Sequence, residues 1–262
     1  MIRFPLAEEG GGFHAPGPED FWQPLVGEGA FAITRPAVVF VLSVVLLSAV
    51  LLIGTRRLSL VPSRGQFALE GVYGLVRNGI ARDIIGSHDF LKFLPLLFSM
   101  FVLILVNNLF GVTPFIQYPT MSRIAFPIAL TLVVFAVYHA VGLRRKGGIG
   151  YLKSMVPPGL PWAIVPGIFL LELVTYLVTR PLTLALRLFA NMFAGHLLLL
   201  VFVLGAEHLL LDGGPLLKVA GVGSFLLALV FTAFEILVEF LQAYIFTLLA
   251  ALYIAGSLAD EH

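Results

Sequence analysis

The sequence predicts an all-α polytopic membrane protein with about five membrane-crossing helices and one amphipathic surface helix. Of its 262 residues, 59% are hydrophobic and only 12% are charged, whereas an average soluble domain has about 25% charged residues. The mean hydropathy is +1.00. Uninterrupted apolar segments also recur along the chain at lengths that cross a hydrocarbon core of about 30 Å. A soluble fold of this size does not have enough charged residues to cover its surface.

Charge and cysteine content exclude several classes of protein. The 16 basic and 15 acidic residues give a net charge of +1, so we expect no binding to nucleic acid. The chain has no cysteine, which excludes disulfide scaffolds, thiolate zinc sites and cysteine nucleophiles. Its glycine-rich segments lack the spacing of a phosphate-binding loop. We therefore expect no cofactor, no metal and no nucleotide bound by this chain.

The first 30 residues are polar and acidic, and we expect them to form an extracytoplasmic segment before a single membrane domain over 31–262. A secretory signal peptide begins with basic residues, and a mitochondrial transit peptide is rich in arginine. This segment has only Arg3 against several acidic residues. We therefore expect the first apolar segment to act as its own insertion signal.

Three apolar segments without formal charge have the length of single spans, at 36–54, 93–112 and 124–143. The stretch 64–88 differs, because charged residues occupy some faces of a helix and apolar residues another. This pattern is typical of an amphipathic helix on the membrane surface. The apolar positions are Phe67, Val72, Val76, Ile80 and Ile84.

Two longer apolar tracts follow, at 166–206 and 219–257. As single helices they are each roughly 60 Å long, about twice the hydrocarbon core. Because neither proline nor glycine occurs between Ser224 and Ala255, we predict two long, steeply tilted helices that form a hairpin. Pro181 leaves open whether the first of them is kinked or broken.

The distribution of basic residues predicts the orientation. Six basic residues lie in 56–92 and four in 144–153, whereas the loops near 113–123 and 207–218 have one each. By the positive-inside rule, the first two stretches face the cytoplasm. With five crossings, the N-terminus is then outside and the C-terminus cytoplasmic.

Arg187 lies in the middle of the first long tract, where a permanent positive charge is costly. A face of small residues surrounds it, which lets another helix approach closely. Two interpretations remain open: contact with a partner helix, or an arginine that reaches an interface or pairs with Glu172. His196 is nine positions further along the chain, about 180° from Arg187 around the helix axis, and it faces away from this contact. The small neighbours of Arg187 are Thr183, Ala190, Asn191 and Ala194.

The final tract carries Glu235, Glu239 and Gln242 at i, i+4 and i+7, on one face of a helix. Carboxylates within a span need water or an opposite charge. Histidine and glutamate are also suited to passing protons. We therefore predict that this face and the histidine of the first tract form a proton path. Asn107 and Asn108 are expected to form hydrogen bonds either at a helix end or between helices.

Two segments around these residues resemble the signature segments of subunit a of the F-type ATP synthase membrane sector: RPLTLALRLFANMFAGHLLL and LQAYIFTLLAALY. The family's hallmark is an Arg-Leu pair, then Asn, then Ala-Gly before Glu or His, with a Gln in the final helix. The resemblance covers about 166–255, and the acidic start of the chain is similar to bacterial, especially actinobacterial, members. The matching residues are Arg187, Leu188, Asn191, Ala194, Gly195, His196 and Gln242.

The resemblance implies a stator subunit that forms two proton half-channels beside a ring of c subunits and couples proton translocation to ring rotation and ATP synthesis. Arg187 would attract the carboxylate of each c subunit in its ionised form and so favour loss of its proton. It would also block a direct proton leak between the two half-channels. His196 and Glu235 stand in the order of mitochondrial-type members and would relay protons. Glu172 resembles an acid near the inner half-channel. The remaining half-channel residues would be Glu239, Asn191 and Gln242.

The implied partners are the c-ring, the b subunits, the remaining F1Fo subunits and membrane lipid, in a bacterial plasma membrane. The chain itself would be a channel subunit rather than an enzyme. The alternative function is a secondary transporter in which Arg187 binds an anionic substrate. That alternative predicts repeated halves and broken helices at matching positions, and no repeat is visible. A purely structural subunit would leave the charges of the last two tracts unexplained.

Overall fold

The structure is a computed structural model, and it describes residues 24–26, 33–56, 59–113, 120–156 and 159–259. Most of the predicted N-terminal segment lies outside the described residues. Within the described part, two short strands pair antiparallel just before the first helix, which the sequence did not predict. They are β1 (Pro24–Val26) and β2 (Ile33–Thr34).

Five described helices are long and apolar enough to cross a membrane, as the sequence predicts. A further helix, α2, covers 64–85 between the first two of them. The last two are far longer than the others and pack against each other as a hairpin, which confirms the predicted fold class. The five spans are α1 (Arg35–Gly54), α3 (Phe90–Val112), α4 (Ala125–Lys153), α5 (Val165–Leu211) and α6 (Pro215–Leu258).

Helix α1 packs against the rest of the chain through few residues. Thr34 precedes it in an extended conformation, and Pro36 occupies its first turn, where the missing N–H costs nothing. Its buried Ser43 accepts a 2.8 Å hydrogen bond from Asn107 Nδ2 on α3. Asn107 is thus an interhelical hydrogen bonder, one of its two predicted roles. The other faces of α1 are largely exposed, as in a helix surrounded by lipid.

Helix α2 begins at the N-cap Ser63, whose hydroxyl accepts a hydrogen bond from the amide of Gln66. A π-helical segment, Arg77–Arg82, interrupts it. The second half of its apolar face packs into the core, whereas Phe67 in the first half is 70% exposed. The fully buried residues of α2 are Val76, Ile80 and Ala81.

Two polar contacts tie the ends of the helices together. At one end, Asp89 before α3 accepts hydrogen bonds from Arg145 Nη1 on α4 (3.0 Å) and from Lys92 Nζ (2.7 Å). The bonds from Lys92 and then Arg145 hold the pKa of the Asp89 carboxyl well below its usual range. At the other end, Arg123 Nη1 donates to Thr34 Oγ1 at 2.7 Å. The start of α4 thus lies near the start of α1, and the late part of α4 lies near the start of α3. Helices α1 and α3 therefore run in opposite directions, as successive spans must.

Helix α4 runs past the predicted apolar segment, because a second helical stretch follows a break in helical geometry at Gly147. Gly147 has φ +71°, a left-handed conformation that favours glycine. The turn brings the Tyr151 ring back against Gly142, where a Cβ atom would collide with it. The sequence marked the end of the apolar segment and not this packed turn.

Helix α5 is continuous through Pro181. A π turn over Thr175–Thr179 precedes the proline. In π geometry the carbonyl of Tyr176 would accept from residue 181, which has no N–H. The hydroxyl of Tyr138 on α4 donates to this carbonyl at 2.7 Å instead. The π turn and a side-chain donor therefore allow the proline within an unbroken helix of about 70 Å.

Helix α6 is regular from Pro215 to Leu258, as the lack of helix-breaking residues predicts. Near the hairpin loop, Ser224 Oγ donates to the carbonyl of Phe202 at 2.9 Å. The Phe202 and Phe231 rings stack with centroids 5.0 Å apart. At the opposite end the pair packs on α3 and α4, and most of the apolar core lies there.

Candidate functional site in the long hairpin

Arg187 lies on a face of α5 that no other described helix covers. Its side chain is exposed, and so are the four small residues at helical spacing around it. No carboxylate of the described residues lies within ion-pair distance of its guanidinium. The structure thus presents a fixed positive charge on a surface that admits another helix backbone. The small residues are Thr183, Ala190, Asn191 and Ala194.

The opposite face of α5 is packed against the rest of the chain. His196 is only 6% exposed and lies on this buried side. The next residue toward Arg187 is Gly195, which faces Glu235 on α6. A Cβ atom built on Gly195 would lie 2.8 Å from Glu235 Oε1. The glycine therefore leaves the space that the carboxylate occupies between the two helices.

One hydrogen bond joins the Arg187 face to the polar face of α6. Asn191 Nδ2 donates to Gln242 Oε1 at 2.6 Å. Asn191 lies one turn from Arg187, and Gln242 is almost fully buried. The two amides thus connect the exposed cation to the row that contains Glu235 and Glu239.

Asn108 brings α3 into the site. Its side chain is 1% exposed, and its Nδ2 donates to the backbone carbonyl of Glu239 at 3.4 Å. Asn108 is thus an interhelical hydrogen bonder, one of its two predicted roles. Sequence reasoning did not place it among the site residues. Its only signal there was a polar side chain within an apolar span.

A cavity of about 230 Å³ lies between α3, α5 and α6, with room for several water molecules. Among the described residues, neither carboxylate of Glu235 and Glu239 has a hydrogen-bond partner, and the same holds for Asn108 Oδ1 and Gln242 Nε2. Buried polar groups without protein partners require water or another ligand. The polar residues around the cavity are Asn108, Asn191, Glu235, Glu239 and Gln242.

Glu172 does not join this cluster. It is half-buried on α5 and lies roughly 20 Å from Arg187 along the helix axis. An ion pair with Glu172 is therefore wrong as an explanation for the charge of Arg187 within the apolar tract. Glu172 lies instead toward the N-terminal end of α5, on the other side of Arg187 from the cavity.

The sequence also matches a known family. The model of the ATP synthase A chain family matches residues 37–255, which is most of the chain. The match covers the five spans except for the first two residues of α1 and the last three of α6, and it includes every polar residue of the cavity.

Relatives named ATP synthase subunit a are similar over nearly their whole length. The protein from Nocardioides sp. is 44% identical and aligns over 97% of this chain and 96% of its own. The one from Pseudarthrobacter chlorophenolicus is 42% identical over 100% of both chains. A third, from Streptomyces lividans, is 34% identical over 97% of this chain and 91% of its own. These relatives are mostly actinobacterial, as the resemblance suggested, and the chain belongs to the ATP synthase A chain family.

Proposed function

We propose that this chain is the stator subunit that carries protons through the ATP synthase membrane sector and couples their movement to rotor rotation. One observation carries the proposal. An exposed arginine without a carboxylate partner among the described residues lies one helical turn from Asn191, which lines a cavity together with two buried glutamates. A structural subunit has no use for this costly arrangement. Proton transport by way of a rotor requires a hydrated path and a fixed charge that divides this path into two separate half-channels.

Arg187 is the dividing charge. Its guanidinium stays protonated at any physiological pH. On a face of small residues it attracts an ionised carboxylate of a closely approaching rotor helix. The proposed rotor is the ring of c subunits. A proton cannot pass directly beside this fixed cation, so transport proceeds only by way of the rotor carboxylate.

The cavity forms the outer half-channel. Glu235 and Glu239 line it, and so does Gly195, the neighbour of His196 along α5. The two carboxyl groups and the histidine accept and donate protons through intervening water. Asn191, Gln242 and Asn108 hold the path together by hydrogen bonds between the helices. Glu172, on the other side of Arg187, is assigned to the inner half-channel.

The proposed orientation has the N-terminus outside and the C-terminus in the cytoplasm, because the ends that contain Asp89 and Arg145 are rich in basic residues. The hairpin loop and the cavity then lie toward the outside. The proposed partners are the c-ring, the b subunits and the other F1Fo subunits, in a bacterial plasma membrane. ATP chemistry belongs to those other subunits, and this chain is a channel.

A secondary transporter is the less favoured function. It would require a substrate pocket at the arginine, and the cavity instead lies beside it between α3, α5 and α6. Relatives named ATP synthase subunit a match over the whole chain. No observation favours the transporter.

The test is Arg187→Ala in the whole complex, assayed for ATP-driven proton pumping in membrane vesicles. We expect pumping to fall to background, because the dividing charge is lost. Arg64→Ala is the control, since this exposed arginine begins α2 far along the chain from the hairpin, and it should pump normally. Normal pumping by assembled Arg187→Ala complexes would contradict the proposal.

A further inference from the structure

A second arginine, Arg180, lies on the same stripe of α5 as Arg187. The two residues are seven positions apart, which is nearly two full turns, so they share a face at a spacing of about 10 Å. Helix α5 is regular over this stretch. In the proposed orientation Arg180 lies on the cytoplasmic side of Arg187, opposite the cavity.

Arg180 is held by aromatic rings rather than by acids. Its Cζ atom lies 3.5 Å from the centroid of the Tyr176 ring and 5.3 Å from that of Tyr253 on α6. Such contacts hold the planar guanidinium without neutralising its charge. No carboxylate of the described residues lies within ion-pair distance of Arg180.

The surroundings fix this geometry. The hydroxyl of Tyr138 binds the carbonyl of Tyr176, which Pro181 leaves without an amide donor. The Tyr138 ring also packs edge-on against Tyr253, with centroids 5.8 Å apart. One tyrosine of α4 therefore contacts both residues that hold the guanidinium, one through its backbone carbonyl and the other through its ring. The π turn, the proline and the tyrosine pair act together to place a cation at one point on the face.

The titratable and charged groups packed around Arg180 are tyrosines, a histidine and Arg187. They come from α4, α6 and α5 itself. Among the described residues of α5, the nearest acid is Glu172, eight positions and about 12 Å before Arg180 along the helix. Within α4, His139 Nδ1 is 2.8 Å from the Tyr151 hydroxyl. None of these neighbours is a carboxylate, so among the described residues no acid in contact with Arg180 cancels its field. They are Tyr138, His139, Tyr151, Tyr253, Tyr176 and Arg187.

We propose that Arg180 is a second fixed cation on the Arg187 face, and that it favours proton release from the rotor carboxylate into the inner half-channel. This inference rests on the proposed function. A protonated rotor carboxyl that faces the inner half-channel gives its proton to water, and the carboxylate remains. A positive charge nearby stabilises that carboxylate. The tyrosine rings keep the cation from forming a tight ion pair that would stall the rotor.

The test measures passive proton flux through the membrane sector in inverted vesicles stripped of the soluble sector. The cytoplasmic side faces the external buffer, and a potassium diffusion potential drives protons outward. Arg180→Gln removes the charge, so release requires a higher external pH. We expect the midpoint of the flux–pH profile to rise by about 0.3 to 1 pH unit, from one charge at about 10 Å and an effective dielectric constant of about 20 to 80. Arg180→Lys keeps the charge and should keep the wild-type midpoint.

Arg64→Gln is the matched control, because it removes an exposed charge from α2 and should leave the profile unchanged. Arg180→Met serves if the glutamine variant does not assemble, and it should give the same rise. An unchanged midpoint in an assembled neutral variant, or an equal shift in Arg180→Lys, would overturn the inference. Normal ATP-driven pumping by assembled Arg187→Ala complexes would instead overturn the proposed function, so the two failures are distinguishable.

Discussion

At the scale of single residues, Gly195 leaves the space that the Glu235 carboxylate fills. In Gly195→Ala the new methyl group would lie 2.8 Å from Oε1, which is too close, so the end of the flexible glutamate must move. We expect the complex to assemble and proton flux to fall by roughly tenfold, because small displacements of a reacting group are costly. Flux through the vesicle-bound membrane sector is the measurement.

Gly205→Ala is the control for this substitution. Its methyl group would lie 3.8 Å from Ser224 Oγ, an ordinary contact on the same helix and in the same interface. We expect normal flux from it. Equal flux in the two alanine variants would mean that the position of the Glu235 carboxylate does not limit transport.

Residue-level prediction from the sequence succeeded where a single helix decides the outcome. The helical period alone predicts that Arg187 and His196 lie on opposite sides of α5, and the structure places one exposed and the other buried. It does not predict which distant group meets them. Asn108 reaches the backbone of Glu239 from 131 positions away. A contact of this kind depends on how spans pack, which no local pattern contains.

At the scale of elements, the π turn of α5 depends on one hydroxyl from α4. Tyr138→Phe removes the donor from the half-buried carbonyl of Tyr176 and changes little else, since the ring remains. We expect a loss of stability of about 1 to 3 kcal/mol. In the Pro181→Ala background the loss should be smaller, because a backbone N–H is restored near that carbonyl. Thermal or denaturant unfolding of the purified complex in detergent measures the double-mutant cycle.

Equal losses from Tyr138→Phe in both backgrounds would contradict this account of the π turn.

Prediction of whole helices from the sequence is limited in the same way, because it depends on local residues only. The absence of helix breakers in 224–255 predicts an unbroken α6. Pro181 only raises the question for α5. The answer depends on the hydroxyl of Tyr138, which lies 38 positions before the carbonyl it binds.

At the scale of the whole molecule, the fold has two chemically different ends. One end holds the Asp89–Arg145 contact and most of the basic loops, and the other holds the Arg123–Thr34 contact and the hairpin loop. The cavity lies toward the second end, and Arg180 and its tyrosines lie toward the first. The two proposed half-channels therefore differ, because two buried glutamates line the cavity of the outer one, whereas Arg180 and Glu172 lie on the side of the inner one.

The orientation of these ends is directly measurable because the chain has no cysteine. We expect a membrane-impermeant maleimide to label Asp212→Cys in intact cells, since this hairpin-loop side chain is 70% exposed. Lys153→Cys, exposed at the end of α4, should be labelled only in inverted vesicles. The cysteine-free parent gives the background in both preparations. The reverse pattern would place the glutamate-lined cavity toward the cytoplasm and exchange the inner and outer half-channels, and the effect of Arg180 would then be on proton uptake from outside.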